Sequence, residues 1–316
     1  RMSAAADVTF LAETDLHAII DAAAGLQPTV LVIDSIQTVY VPELESAAGS
    51  VSQVRESAAR LQRFAKESGI AVFVVGHVTK DGAVAGPRTL EHIVDTVLYF
   101  EGATTLDHRI VRATKNRFGS VDEIGVFRMT AEGLVAVANP SELFLRERSV
   151  QTSGSAVVSL IEGSRPLLVE IQALCTKSSY GAPQRVANGF DRQRLALLLA
   201  VLERRAGLPF GQLDVFLNVV GGVRVVEPAA DAAVAAALVS ALQDRPVPEA
   251  DLFVGELGLG GELRSVTQLE RRLLEAARMG FKRAHVPGAK PLRNAVGGLT
   301  ALPTPDLATL IGRLGE

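Results

Sequence analysis

The sequence predicts two domains in tandem, an α/β domain built on a parallel sheet followed by an α+β domain. Three observations carry this expectation. Val30-Leu-Val-Ile33 is an unbroken apolar run, three of its four residues β-branched, that ends in Asp34. A second run, Ile70 to Val75, delivers Gly76-His77, and apolar runs without alternation are how strands buried on both faces of a parallel sheet read. The third is Arg146 to Gly154, polar enough to be a boundary in a chain whose 316 residues exceed what one core ordinarily holds.

The elements follow in order. Val8 to Leu11 is expected as a short strand. Thr14 or Asp15 caps a helix to about Gly25, which Pro28 stops before the Asp34 strand. A polar loop, Tyr40 to Ser50, leads into a helix from Val51 to about Glu67. It sets Val51, Val54, Ala58, Leu61 and Ala65 on one face and ends at Gly69. After the strand to Val75 comes a glycine-rich loop with basic ends, Asp81 to Arg88. Strands are then expected over Thr96 to Phe100, Arg109 to Thr114 and Ile124 to Met129, and Asn139-Pro140-Ser141 begins a hinge.

Beyond the boundary, Val157 to Ile161, Leu167 to Leu174 and Val215 to Val220 read as strands, and Gln193 to Arg205 as a helix ending near Gly207. Ala229 to Leu242 is an Ala-rich helix, apolar on nearly every side. At this length that means burial, because it is too short to span a bilayer. Leu252 to Gly255, a helix from Gln268 to Met279, a strand from Arg283 to Pro287 and a closing amphipathic helix from Asp306 to Leu314 complete the pattern.

Composition narrows the function. The single cysteine, Cys175, leaves no internal disulfide or cysteine-rich zinc site and fits a reducing cytoplasm. The first residues lack a charged-then-apolar signal pattern, and no stretch is long and apolar enough for a membrane. A net charge of −3 means that any nucleic-acid contact has to come from local basic patches.

Four positions stand out. Asp34, at the C-terminal edge of a parallel strand where ligands of open α/β sheets collect, is either a turn aspartate or a Walker B carboxylate for Mg²⁺. His77 is read as a capping or hydrogen-bonded turn histidine, delivered to that same edge. Lys115 and Arg117, in Lys115-Asn-Arg-Phe-Gly119, are two cations one residue apart at a strand end and are read as a solvated turn. No G-x-x-x-x-G-K-[ST] occurs, and Gly255 to Leu263 lacks the last glycine of G-x-G-x-x-G, so a phosphate-cradling loop is missing from this stretch.

The ordered series LVIDSIQ, GSVSQVRE, VVGHVTKDGAVAGPRTLEH, KNRFG and EIGVF resembles the RadA (Sms) family of bacterial DNA repair and recombination ATPases. The resemblance implies a RecA-like α/β ATPase core over residues 1–146, partial because its zinc finger, P-loop and catalytic-glutamate strand are absent. It implies ATP and Mg²⁺ as cofactors, with zinc confined to the missing finger. Asp34 would help position Mg²⁺ with Ser35 and Gln37 beside it, and His77 would sense the γ-phosphate. Lys80 and Arg88 would contact DNA. Lys115 and Arg117 would reach the neighbouring subunit's ATP site, where a cation supplied in trans makes hydrolysis depend on assembly.

GGVRVVEP, ALVSALQDRPVP, GELGLGGELRSV and LLEAARMGFKRAHVP resemble the C-terminal domain of Lon protease, implying an α+β Lon-like domain over 147–316. Its serine nucleophile position falls on Ala229 and its lysine position on Glu270, so no peptidase is expected. Arg264, Arg271, Arg272, Arg278, Lys282, Arg283, Lys290 and Arg293 are read either as charge offset by neighbouring glutamates or as a DNA-facing patch. Together the resemblances imply a cytoplasmic, hexameric, ATP-driven motor that processes single-stranded and branched DNA alongside a RecA-type recombinase, without a membrane. This stretch by itself is expected not to hydrolyse ATP. The alternative is a non-enzymatic DNA- or partner-binding scaffold built on the Lon-like ring.

Overall fold

The computed structural model of the chain describes residues 8–77, 90–101, 108–121, 124–146, 148, 152–163, 165–178, 181–288 and 296–314. Two compact units emerge. One is Arg1–Tyr99 with Arg112–Val121 and Ala131–Gly133; the other is Phe100–Val111 with Asp122–Thr130 and Leu134–Glu316. Residues 134–146, assigned from sequence to the first domain, group by compactness with the second.

In the first unit, α1 (Leu16–Leu26) starts where Asp15 accepts the His17 amide and ends at Gln27 in the left-handed region. Strand β1 (Val30–Asp34) follows. Then α2 (Val51–Ser68) runs from its Ser50 cap to Gly69, and β2 (Ala71–Val75) returns parallel to β1, Val30 opposite Ala71 and Asp34 opposite Val75. Leu16, Ile19, Val54 and Leu61 pack with Ile33 and Ile36 on one face of this pair.

The opposite face corrects the expectation of strands buried on both sides. It carries Val30, Val32, Phe73 and Val75, with Val32 58% and Phe73 55% exposed. Among the described residues the helices cover one face only, and an all-apolar run hides this because it does not alternate. Val8 to Leu11 is not a strand either. It has no ladder partner among the described residues, and Phe10 is 87% exposed. Strands β3 (Thr96–Glu101), β4 (His108–Asn116), β5 (Ile124–Thr130) and β6 (Gly133–Ala136) form a sheet in sequence order.

In the second unit α3 (Pro140–Leu145) stands where a hinge was expected. Asn139 caps the Ser141 and Glu142 amides, Pro140 occupies the first turn where its missing N–H costs nothing, and buried Ser141 ties the helix to the Leu168 amide at 3.1 Å. Strands β7 (Ser155–Glu162), β8 (Arg165–Lys177), β9 (Arg185–Asn188), β10 (Leu213–Val219) and β11 (Asp251–Phe253) come next. The short β12 (Glu256–Leu257) and β13 (Leu263–Arg264) pair with each other, and β14 (Arg283–Val286) and β15 (Thr300–Pro303) complete the set. The main sheet has the order β15-β14-β11-β7-β8-β10-β9, antiparallel at β7/β8 and β8/β10 and parallel elsewhere.

Helices α4 (Arg192–Ala206), α5 (Asp231–Gln243), α6 (Leu269–Arg278) and α7 (Leu307–Leu314) complete the second unit. As its composition dictates, α5 is buried on all sides from Asp231 to Ser240. Its one charged residue in that span, Asp231, is met by Arg194 Nε at 3.0 Å and the Leu257 amide at 3.0 Å. Gly189 is demanded by its site: at φ +73°, an added Cβ would lie 2.6 Å from the Val223 carbonyl oxygen.

Candidate functional site

The parallel pairing of β1 and β2 sets Asp34 and Val75 side by side, so the chain leaving each strand emerges at one edge. Asp34 is exposed, and its carboxylate makes no hydrogen bond or ion pair among the described residues. The Asp34–Ser35 peptide is cis. Ser35 is buried, its carbonyl accepting the Thr38 hydroxyl at 2.8 Å and the Thr38 amide at 3.1 Å. The Ile36 amide reaches across to Val75 O at 3.0 Å, and Gln37 Nε2 donates to His77 O at 3.3 Å. The four residues predicted from sequence, Asp34, Ser35, Gln37 and His77, are therefore neighbours in space, with the His77 ring exposed.

This edge fits the metal-facing part of a nucleotide site. Gln37 Oε1 is buried without a hydrogen-bond partner, an acceptor waiting for a donor. Asp34 supplies a hard carboxylate, unengaged among the described residues, that suits Mg²⁺, which commonly takes one or two protein carboxylates and completes its shell with water and phosphate oxygens. Asp34 would hold the ion, which would supply charge neutralisation to a nucleotide's phosphates, and Gln37 would orient a donor beside it.

The loop from Tyr40 to Ser50 is fixed over the same edge. Gly49, at φ +79°, lies so close that an added Cβ would be 3.2 Å from Gln37 O. Lys80 and Arg88, the predicted DNA contacts, lie outside the described residues.

The KNRFG segment ends β4. Lys115 Nζ donates to Glu91 O at 2.6 Å and to Val94 O at 2.7 Å. Arg117 Nη1 is 3.2 Å from Asp95 Oδ1, and its guanidinium carbon lies 5.5 Å from the centre of the Phe118 ring, which is 80% exposed. Both cations thus have partners within their own chain, Lys115 on backbone and Arg117 on an aspartate.

In the second unit Ala229 and Glu270, expected from the resemblance to stand at the protease's serine and lysine positions, offer no nucleophile–base pair. Ala229 is buried, its carbonyl accepting the Gly255 amide at 2.9 Å, while Glu270 is exposed on the first turn of α6. Two residues from each stands a feature that sequence reasoning missed. Arg272, fully buried, forms a fork on Glu227, with Nη1–Oε1 2.9 Å and Nη2–Oε2 2.6 Å, and donates to Ser159 O and Thr267 O. The signal was present in the spacing. Leu269, Arg272, Leu273 and Ala276 form one helical stripe, which turns Arg272 inward with the leucines.

The other basic residues are largely offset. Arg264 pairs with Glu262, Arg278 with Glu275 and Arg283 with Asp251. Arg271 meets Gln268, Lys282 is exposed, and Lys290 and Arg293 lie outside the described residues. The neutralised-charge reading therefore fits better than a broad DNA-facing patch.

Comparison with known proteins follows these two units. Residues 2–83 match the AAA domain family, and residues 208–294 match the Lon protease (S16) C-terminal proteolytic domain. DNA repair protein RadA of Bacillus subtilis (strain 168) is 53% identical over 279 residues, covering 88% of this chain and 61% of the relative. The Pseudomonas aeruginosa RadA is 53% identical over 306 residues, covering 97% and 68%, and the Brucella abortus RadA is 49% identical, covering 98% and 68%. The chain thus spans between 61% and 68% of the length of these relatives.

Proposed function

The chain belongs to the RadA family of DNA repair proteins, and from that premise we propose that it forms the Walker B, trans-acting and Lon-like parts of an ATP-driven DNA motor. The observation that carries the reading is the meeting of Asp34, Gln37 and His77 at one sheet edge. There the Asp34 carboxylate and the Gln37 amide oxygen, neither engaged among the described residues, suit a metal–nucleotide complex.

In this reading ATP and Mg²⁺ bind at that edge, Asp34 toward the metal with Ser35 and Gln37 supporting it. His77 passes the state of the γ-phosphate into the segment carrying Lys80 and Arg88, which face single-stranded or branched DNA. The KNRFG segment supplies positive charge to the adjacent subunit's nucleotide, so the working form is a homo-oligomeric ring, hexameric by family analogy. It acts beside a RecA-type recombinase in the cytoplasm, and the ATPase share runs over 1–146. The chain contains no P-loop motif, so this stretch alone turns over no ATP. The Lon-like share, 147–316, with alanine at position 229 and glutamate at position 270, serves assembly rather than peptide hydrolysis.

The test is DNA-stimulated ATP turnover of the complete, P-loop-bearing protein while Arg117→Ala subunits are mixed into wild type. Activity falling more steeply than the wild-type fraction supports a cation acting across subunits. A linear fall places Arg117 outside a neighbour's site. Salt-sensitive DNA binding without turnover under any mixture would instead support a DNA-binding scaffold.

A further inference from the structure

We propose that the free edge of β6 is a docking site for an extended acidic segment of a partner protein. The segment adds a strand to β6 and sets its carboxylates against Arg128 and Arg146. The residues that line the site all belong to the second unit, and the proposal does not depend on the nucleotide edge.

Strand β6 is last in its sheet, so among the described residues one of its hydrogen-bonding edges has no strand beside it. Two residues link β5 to β6, and the Val137 amide donates to Val126 O at 2.8 Å. In such an antiparallel pair alternate residues bond to the partner. Val135 therefore turns its amide and carbonyl to β5 with Val137, while those of Leu134 and Ala136 point away. Leu134, Val135 and Ala136 are all exposed, and the Ala138 backbone makes no hydrogen bond among the described residues. Edge strands are ordinarily blunted by a charge or a proline, and Leu134-Val-Ala-Val-Ala138 contains neither.

A cleft of about 400 Å³ runs along this stretch. Five consecutive residues, Val135 to Asn139, line it, as a strand edge does; a sheet face would contribute alternate residues. Glu142, Leu143 and Arg146 line it from α3 and its C-terminal cap, and Arg128 from β5. Val137 and Leu143 pack on the main core, which makes the lining apolar and fixed. Arg128 and Arg146 are exposed, and neither has a hydrogen-bond or ion-pair partner among the described residues. Arg146 even stands four residues after Glu142, the spacing at which helix side chains pair, without pairing to it. Two unengaged guanidiniums beside an apolar strand edge complement a peptide that is apolar at alternate positions and acidic at its ends. Nucleic acid is the poorer match, because the cleft offers no aromatic ring for a base and Glu142 repels a phosphate chain.

The experiment is fluorescence anisotropy of the complete, P-loop-bearing protein with the fluorescein-labelled peptide EETVTVEE. Saturable binding is expected, weakened about tenfold or more when Arg128→Glu and Arg146→Glu are combined, at an unchanged melting temperature. The charge-swapped peptide KKTVTVKK should bind wild type poorly and recover on the double variant. N-methylation of alternate peptide amides should abolish binding in one register and spare it in the other, because an added strand uses every second amide. Absence of saturable binding, or binding that the double variant leaves unchanged, overturns the proposal. Equal tolerance of both N-methylated peptides overturns strand addition. Two further results overturn it by naming another occupant. One is an oligothymidylate that loses affinity for the double variant while EETVTVEE does not, which marks a nucleic-acid surface. The other is lost self-association of the double variant in sedimentation without any peptide binding to wild type, which marks a contact between copies of the chain.

Discussion

Gln53 closes both ends of its side-chain amide on a single residue of the preceding loop, Val41. Oε1 accepts the Val41 amide at 2.8 Å, and Nε2 donates back to Val41 O at 3.2 Å. The same nitrogen lies 3.2 Å from Leu44 O and 2.9 Å from Ser46 O. A glutamine that is 1% exposed on the inner face of α2 thus replaces the ladder that the loop backbone lacks. With Gly49 against Gln37, the loop is a fixed platform tied to the Asp34 edge.

Gln53→Leu should therefore be costly although it keeps an apolar stem in an apolar place. It leaves the Val41 N–H and the Leu44 and Ser46 carbonyls without their partner, while Val41 O keeps the Leu44 amide at 3.1 Å, and each buried unsatisfied group costs about 1–3 kcal/mol. The expected loss is at least about 2 kcal/mol, read from the urea midpoint of the first unit. The Val41 amide should also lose protection in hydrogen exchange. An unchanged midpoint would mean the loop is held by something else.

The second unit should weaken in acid through Asp251. Burial works against its charged form, but hydrogen bonds from His285 (2.9 Å) and Arg283 (2.7 Å) outweigh burial and hold the carboxyl below the ordinary aspartate range. A carboxyl depressed on folding adds stability that is fully present above its unfolded value of about 3.9 and lost as pH falls through the folded value. Asp251→Asn should be less stable than wild type at pH 7, and the gap should narrow as pH drops below about 4. A gap independent of pH would show that Asp251 contributes through packing rather than charge.

Cys175 should be a poor nucleophile. Burial pushes its thiol up to about 11 against a weaker opposing pull from Arg185. At pH 8 only about one molecule in a thousand carries the thiolate, the reactive form, against roughly a quarter for a free cysteine. Alkylation by iodoacetamide should accordingly be about a hundredfold or more slower in the folded protein than in urea. Equal rates would mean that the thiol is open to solvent.

These cases show what the sequence could and could not disclose. Helix α2 was legible from cap to cap because Ser50, an apolar stripe and Gly69 are local signals. Asp34, Gln37 and His77 were legible together because two apolar runs ended at one edge of a parallel pair. The open face of β1 and β2 was not, because Val30 and Val32 look the same whether covered or bare. Helix α3 was hidden by reading Asn139-Pro140 as a break, when the pair is also a cap followed by a first-turn proline. The partners of Lys115 could not be read at all. They are backbone atoms 24 and 21 residues away, and carbonyls have no sequence identity.

The fork between Arg272 and Glu227 makes the sharpest stability prediction, because this buried pair is asymmetric. Arg272 is fully buried, whereas Glu227 retains 24% side-chain exposure. Removing Arg272, as in Arg272→Met, leaves a carboxylate that still sees water and still accepts the Ile161 amide at 2.6 Å. Removing the carboxylate, as in Glu227→Leu, leaves a guanidinium with no counter-charge and only the Ser159 and Thr267 carbonyls. Breaking a buried pair from one side costs about 3–5 kcal/mol, and Glu227→Leu should reach the top of that range while Arg272→Met falls below it. The double variant should recover part of the loss, since an apolar pair of similar volume no longer buries a charge. Urea midpoints of the second unit decide the matter. Equal single losses would mean that the carbonyls alone can carry the arginine, and that Glu227 is present for another reason.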